Sequence, residues 1–164
     1  GTWDDLQKYC YRVASSVGLV CLPLFAADPK RAHDYAVALG HALQLTNILR
    51  DIGEDLANGA RIYVPLDDLT RFQYSEDDLI GQVHDERFVA FMSYQADRCE
   101  ELYAKASGLL PPEDHKALLA PRVMHRIYHT LLKKMREDNF RVFDRRYRLS
   151  KLQKISLLVK ERFS

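Results

Sequence analysis

The sequence predicts an all-α fold, on three observations. Apolar residues recur at helical spacing over most of the 164 residues, helix-start signals precede those runs, and no alternating stretch is long enough to build a sheet. Thr2 with Asp5 three residues on forms a capping-box pattern and opens an apolar-periodic segment to about residue 26. Asp28-Pro29 pairs a good N-cap with a proline at the first helical position, so the next helix is expected over 29–57, ending at Asn58-Gly59. "GARIYVPLDDLTRF" (59–72) reads as a loop with a short extended piece, and Ser75 with Asp78 caps a short turn. A helix is expected over 85–107. "GLLPPEDH" (108–115) breaks it, and helices resume over 113–137, with a kink near Pro121, and over 150–162. With no internal repeat or low-complexity tract, residues 1–164 are expected to form a single helical domain.

Bulk properties exclude several classes. A hydrophobic content of 47% supports one sizeable core, and a net charge of +1 carries no polyelectrolyte signature. Cys10, Cys21 and Cys99 lack metal-site spacing, and their odd number suits a reducing, cytoplasmic compartment. The longest apolar run, "VGLVCLPLFAA" (17–27), is interrupted by Pro23 and too short to span a bilayer. The chain opens on Gly1, so its natural N-terminus is expected upstream. Residues 133–162 are basic but carry no nucleic-acid motif, and "SKLQKISLLVKERF" (150–163) is amphipathic enough for peripheral contact with an anionic membrane.

"NILRDIGEDL" (47–56) raises the functional question, because a helix that looks buried ends in three acids. At about 100° per residue, Gln44, Asn47, Asp51 and Asp55 fall within roughly one 80° sector. Burying such groups costs several kcal/mol without partners, the acids repel one another, and a helix C-terminus is the wrong pole for anions. A cation would offset all three penalties, and oxygen-only ligands suit Mg²⁺, which bridges to substrate phosphates. The alternative is a solvated acidic helix end partnered by Arg50 and Arg61. The amides of Gln44 and Asn47, set inside the apolar run, favour a site.

Four segments carry a resemblance. "QLTNILRDIGED" (44–55) resembles the second aspartate-rich motif of the squalene/phytoene synthase family, the head-to-head prenyltransferases. "YCYRVASSVG" (9–18) resembles its tyrosine signature, "ARIYVP" (60–65) the loop after the second acidic motif, and "IYHTLLKKMREDNFRVFDRR" (127–146) its C-terminal arginine segment. The form "QLTNILRD" is more similar to the bacterial presqualene-diphosphate branch than to the phytoene branch. Phe140 stands where the family often has tyrosine. The family's first acidic motif has no counterpart upstream of Tyr9, so the chain is expected to be the C-terminal portion of an isoprenoid-synthase-type bundle, completed by a missing N-terminal segment or by self-association.

The resemblance implies Mg²⁺-dependent joining of two prenyl diphosphates. Farnesyl diphosphate giving presqualene diphosphate or squalene is the first expectation, and geranylgeranyl diphosphate giving phytoene the alternative. Asn47, Asp51 and Asp55 would be metal ligands, and Gln44, Tyr128 and Arg145 would bind substrate diphosphate. Tyr9 would act near the departing diphosphate. Arg50 either reaches diphosphate or pairs with Glu54 at i+4. Use of NADPH in a later reductive step stays open, and no nucleotide-binding glycine motif is present. A catalytically silent relative that binds a partner is the competing class, disfavoured by the intact acidic face. His125 and His129, at i,i+4 without an HExxH glutamate, read as a surface face rather than a zinc site.

Overall fold

In the computed structural model, which describes residues 1–25, 27–59 and 61–163, every regular element is helical. Thr2 and Asp5 exchange the two capping-box hydrogen bonds (3.3 and 2.9 Å) and start α1, Trp3–Cys10. The chain widens into a π-helical turn, Tyr11–Ser15, and resumes as α2, Ser16–Cys21, and a 3₁₀ turn, Pro23–Phe25. The expected end at residue 26 lies outside the described residues.

The central helix α3, His33–Ala57, begins four residues later than the sequence suggests. Asp28 caps a turn instead: its Oδ1 accepts from the backbone of Lys30 (2.8 Å) and Arg31 (3.2 Å). Arg31 is held by Asp114 from across the chain at 2.8 Å. The stop at Asn58-Gly59 is as expected, with Gly59 at a φ of 111°. The loop after it holds a short helix, α4, Leu66–Arg71, in place of an extended piece. Ser75 and Asp78 form the expected capping box before α5, Glu76–Ile80. Asp85 caps α6, Glu86–Leu109, by accepting from Arg87 and Phe88.

After a 3₁₀ turn, Pro112–Asp114, α7 spans Leu119–Glu137. Pro121 therefore sits in the first turn of α7, where its missing N–H goes unneeded, and produces no mid-helix kink. Beyond α7, Asn139 (φ 50°) and Phe140 (φ 54°) both take left-handed backbone and turn the chain into an irregular strap, 141–150. Ser150 and Gln153 cap α8, Lys151–Arg162.

Helix α3 packs against α6, α7 and the π-helical turn. Leu45, Leu49, Phe91, Met92 and Cys99 are fully buried at its core, each large apolar side chain contributing about 1.5–3 kcal/mol. Thr46 satisfies its buried hydroxyl on Ala42 O and Tyr103 Oη, both at 2.8 Å. His125 and His129 are not a surface face: both are half-buried against Tyr103, His125 stacked on its ring at 4.8 Å and His129 tilted to it at 5.0 Å. His129 Nε2 meets Glu100 at 2.6 Å.

Burial, then the neighbouring His129 and Arg126, pushes His125 down to about 4. The unfolded chain binds that proton at about 6.5, so stability falls as pH drops from about 6.5 to about 4, by at most about 1.4 kcal/mol per pH unit. His125→Phe should flatten this acid limb in urea melts taken across the same range. An unchanged limb would remove His125 as its source.

Gly40 sets the closest helix approach. A Cβ there would meet Ser15 Cα and Oγ at 2.7 Å, so α3 and the π-helical turn touch backbone to backbone. Ser15 Oγ donates to Val37 O at 3.0 Å and lies 3.1 Å from His41 Nδ1. Gly40→Ala should destabilise by about 1–2 kcal/mol despite alanine's better helix propensity. A denaturation midpoint equal to the parent's would contradict this contact.

Candidate functional site

Gln44, Asn47, Asp51 and Asp55, on one face of α3, line a polar cavity of about 370 Å³ together with Ile48 and Arg50 of the same helix. Tyr9 closes it from α1 and Tyr128 from α7, so the structure brings together all but one of the site residues expected from the sequence. The exception is Arg145, which does not line the cavity and pairs with Asp138 at 3.3 Å. Its neighbour Arg146 meets the acids of α3, Asp51 at 3.1 Å and Glu54 at 2.9 Å.

The strap explains that choice. Gly53, between the acids, lets the strap lie on α3: a Cβ there would meet Val142 O at 2.5 Å. Tyr147 is buried and anchors the strap by donating to Asp138 (2.7 Å) and accepting from Arg141 N (3.0 Å). Arg146, just before that anchor, is then held over the acidic end of α3.

Arg50 does not pair with Glu54. It forms a two-point pair with Asp51, its sequence neighbour, at 2.9 and 2.6 Å. Asp51 thus accepts from two arginines. Among the described residues no ion pair forms to Asp55. Burial, then the charge of Asp51, holds Asp55 above the usual carboxylate range. Asn47 Oδ1 is buried without a hydrogen-bond partner, an arrangement that costs about 1–3 kcal/mol.

These features fit a divalent cation. An orphaned amide oxygen and an under-compensated carboxylate stand on one face, and every donor is oxygen. Among the described residues no three His, Cys, Asp or Glu side chains converge on one point. Two carboxylates and an amide would therefore fill only part of a Mg²⁺ shell, leaving positions for water and phosphate oxygens.

Tyr9 stacks on Tyr63, with ring centroids 5.3 Å apart. Burial, then the Tyr63 phenol, pushes the Tyr9 hydroxyl above its usual range, keeping it protonated as a donor. Tyr63 and Arg146 are the two residues that sequence reasoning passed over. Tyr63 lies inside the quoted "ARIYVP" loop, whose Ala60 is outside the described residues.

Gln44, Asn47 and Tyr128 also line a second, apolar cavity of about 330 Å³, with Val17, Leu39 and Met124 among its walls. A polar mouth thus opens into an oily groove. Its outer wall is incomplete: Val13, Val17, Val20 and Leu24 form an exposed apolar stripe.

An all-α bundle with an acidic face above an apolar groove defines the isoprenoid-synthase class. The chain belongs to the squalene/phytoene synthase family, whose profile matches residues 1–153. It is 40% identical over 157 residues to a 15-cis-phytoene synthase of Synechococcus elongatus, covering 88% of this chain and 51% of that protein. It is 38% identical over 156 residues to a phytoene synthase of Mycobacterium tuberculosis, covering 93% and 51%. The crystal structure of a dehydrosqualene synthase superposes with a TM-score of 0.84 at 35% identity, over 99% of this chain and 57% of that one. A squalene synthase from Alicyclobacillus acidocaldarius gives 0.76 at 30%, over 85% and 53%. The chain spans about half the length of the curated relatives it matches.

Proposed function

We propose that this chain supplies the second-acidic-motif side of a head-to-head prenyltransferase. The observation that carries the reading is the convergence of Asn47, Asp51, Asp55 and Tyr9 on one polar cavity that opens into an apolar groove. The opposite side of the cavity, with the family's other acidic motif, would come from residues outside this chain and would cover the Val13–Leu24 stripe.

Asn47, Asp51 and Asp55 would hold Mg²⁺, which when bound neutralises diphosphate charge. Arg50 and Arg146 stand beside these ligands and can turn from Asp51 to phosphate oxygens. The allylic C–O bond of one prenyl diphosphate breaks, and diphosphate leaves with the electron pair. The double bond of the second substrate attacks the resulting cation, and loss of one proton closes a cyclopropane. Tyr9 would donate a hydrogen bond to the departing diphosphate. Apart from Gln44, Asn47, Tyr128 and Tyr35 the groove's walls are apolar, so once its open outer side is covered it would shield the cation from water.

Two substrates are supported by different observations. The phytoene synthase names of the curated relatives favour geranylgeranyl diphosphate. The motif form "QLTNILRD" and the squalene-type structural neighbours favour farnesyl diphosphate. Supplying each with Mg²⁺ to the natural full-length chain and identifying products decides between them. Absence of any head-to-head product from either would overturn the reading.

Peripheral membrane contact through α8 belongs to the same proposal. Leu152 (79% exposed), Ile155, Val159 and Phe163 (82%) face outward, and Lys151, Lys154 and Lys160 are exposed beside them. Among the described residues no helix is long and apolar enough to cross a membrane.

A further inference from the structure

The apolar groove has a direction. Its lining includes Asn47 and Tyr128, which also line the acid cavity, and Phe25, Tyr35 and Pro121, which do not. Along α3, Asn47 and Tyr35 are separated by about 18 Å at 1.5 Å per residue.

Tyr35 is 1% exposed and stands between two spaces. One is the groove. The other is a polar cavity of about 390 Å³ walled by His115, Arg122, His125 and Glu161. The Tyr35 hydroxyl is buried without a hydrogen-bond partner. Burial raises its pKa, and Arg122 and Glu161 of the polar cavity are the charges that act on it. Tyr35 lines both spaces. A buried phenol with nothing to bond is costly, yet a tyrosine can seal an apolar channel while showing its polar tip to the chamber behind.

We infer that Tyr35 is the partition that ends the prenyl groove and so sets the longest chain the site accepts, an inference that rests on the prenyl diphosphate reading. Truncating the ring joins two cavities of about 330 and 390 Å³ and gives a longer chain somewhere to go. Removing the hydroxyl alone leaves the partition standing.

The test uses the natural full-length protein with Mg²⁺ and thiolo-diphosphate analogues of farnesyl, geranylgeranyl and geranylfarnesyl chains, with dissociation constants from calorimetry. Tyr35→Ala should raise the affinity of the longest analogue relative to farnesyl by about tenfold or more. Tyr35→Phe should keep the parent's ratio. If Tyr35→Ala does not fold, Tyr35→Leu carries the same test with a smaller shift in the same direction. A folded Ala or Leu variant with the parent's length preference overturns the partition and leaves the prenyl reading intact. Failure of the parent to bind any analogue overturns both.

Discussion

Asp51→Asn is expected to lower kcat/KM for prenyl diphosphates by about two to three decades while the fold persists. The substitution keeps the side chain's shape and removes its charge. It strips the centre of the acidic face, where Arg50 and Arg146 both converge. Arg50 is only 14% exposed and loses a two-point partner, so stability should fall as well, by about 1–3 kcal/mol. Steady-state kinetics on the full-length chain, paired with a melting curve, separates the two effects. A folded variant within about threefold of the parent would exclude Asp51 from the site.

Tyr9→Phe should lower kcat by about one to three decades with folding retained. The ring's stack on Tyr63 survives the change, because only the hydroxyl is lost. The loss should fall on kcat more than on KM if the hydroxyl acts on the departing group. Single-turnover rates equal to the parent's would return Tyr9 to an ordinary half-buried tyrosine.

The parts of the fold legible in the sequence were those fixed by local hydrogen bonding. Thr2 and Ser75 each start a helix through a side chain that reaches three residues ahead, and that pattern is visible in the letters. Asp28 carried the same signal and misplaced α3, because its cap serves a turn pinned by Arg31 and Asp114 from a distant segment. The π-helical turn depends on Ser15 meeting Val37 and Gly40, a tertiary contact no local pattern records. At six residues, α4 is too short for helical periodicity to stand out.

The site divides along the same line. Gln44, Asn47, Asp51 and Asp55 share a face by helix geometry alone, so spacing found them. Arginine choice was not legible, because "FDRRYR" lies in an irregular strap with no period. Its register is set by burial of Tyr147 and by the bare backbone of Gly53, which together bring Arg146 to the acids and turn Arg145 outward. Arg50 pairs with Asp51, while Glu54, the partner expected at i+4, goes to Arg146.

The central claim is that the Gln44–Asp55 face holds diphosphate through a divalent cation. Calorimetry with pyrophosphate and Mg²⁺, each alone and together, on the parent and on Asp51→Asn, tests it most directly. The parent should bind Mg²⁺ weakly alone and tightly with pyrophosphate present, because Mg²⁺ shares its shell with phosphate oxygens. Asp51→Asn should weaken the joint binding by about tenfold or more. Equal binding by the two proteins, or pyrophosphate binding that ignores Mg²⁺, would contradict the account.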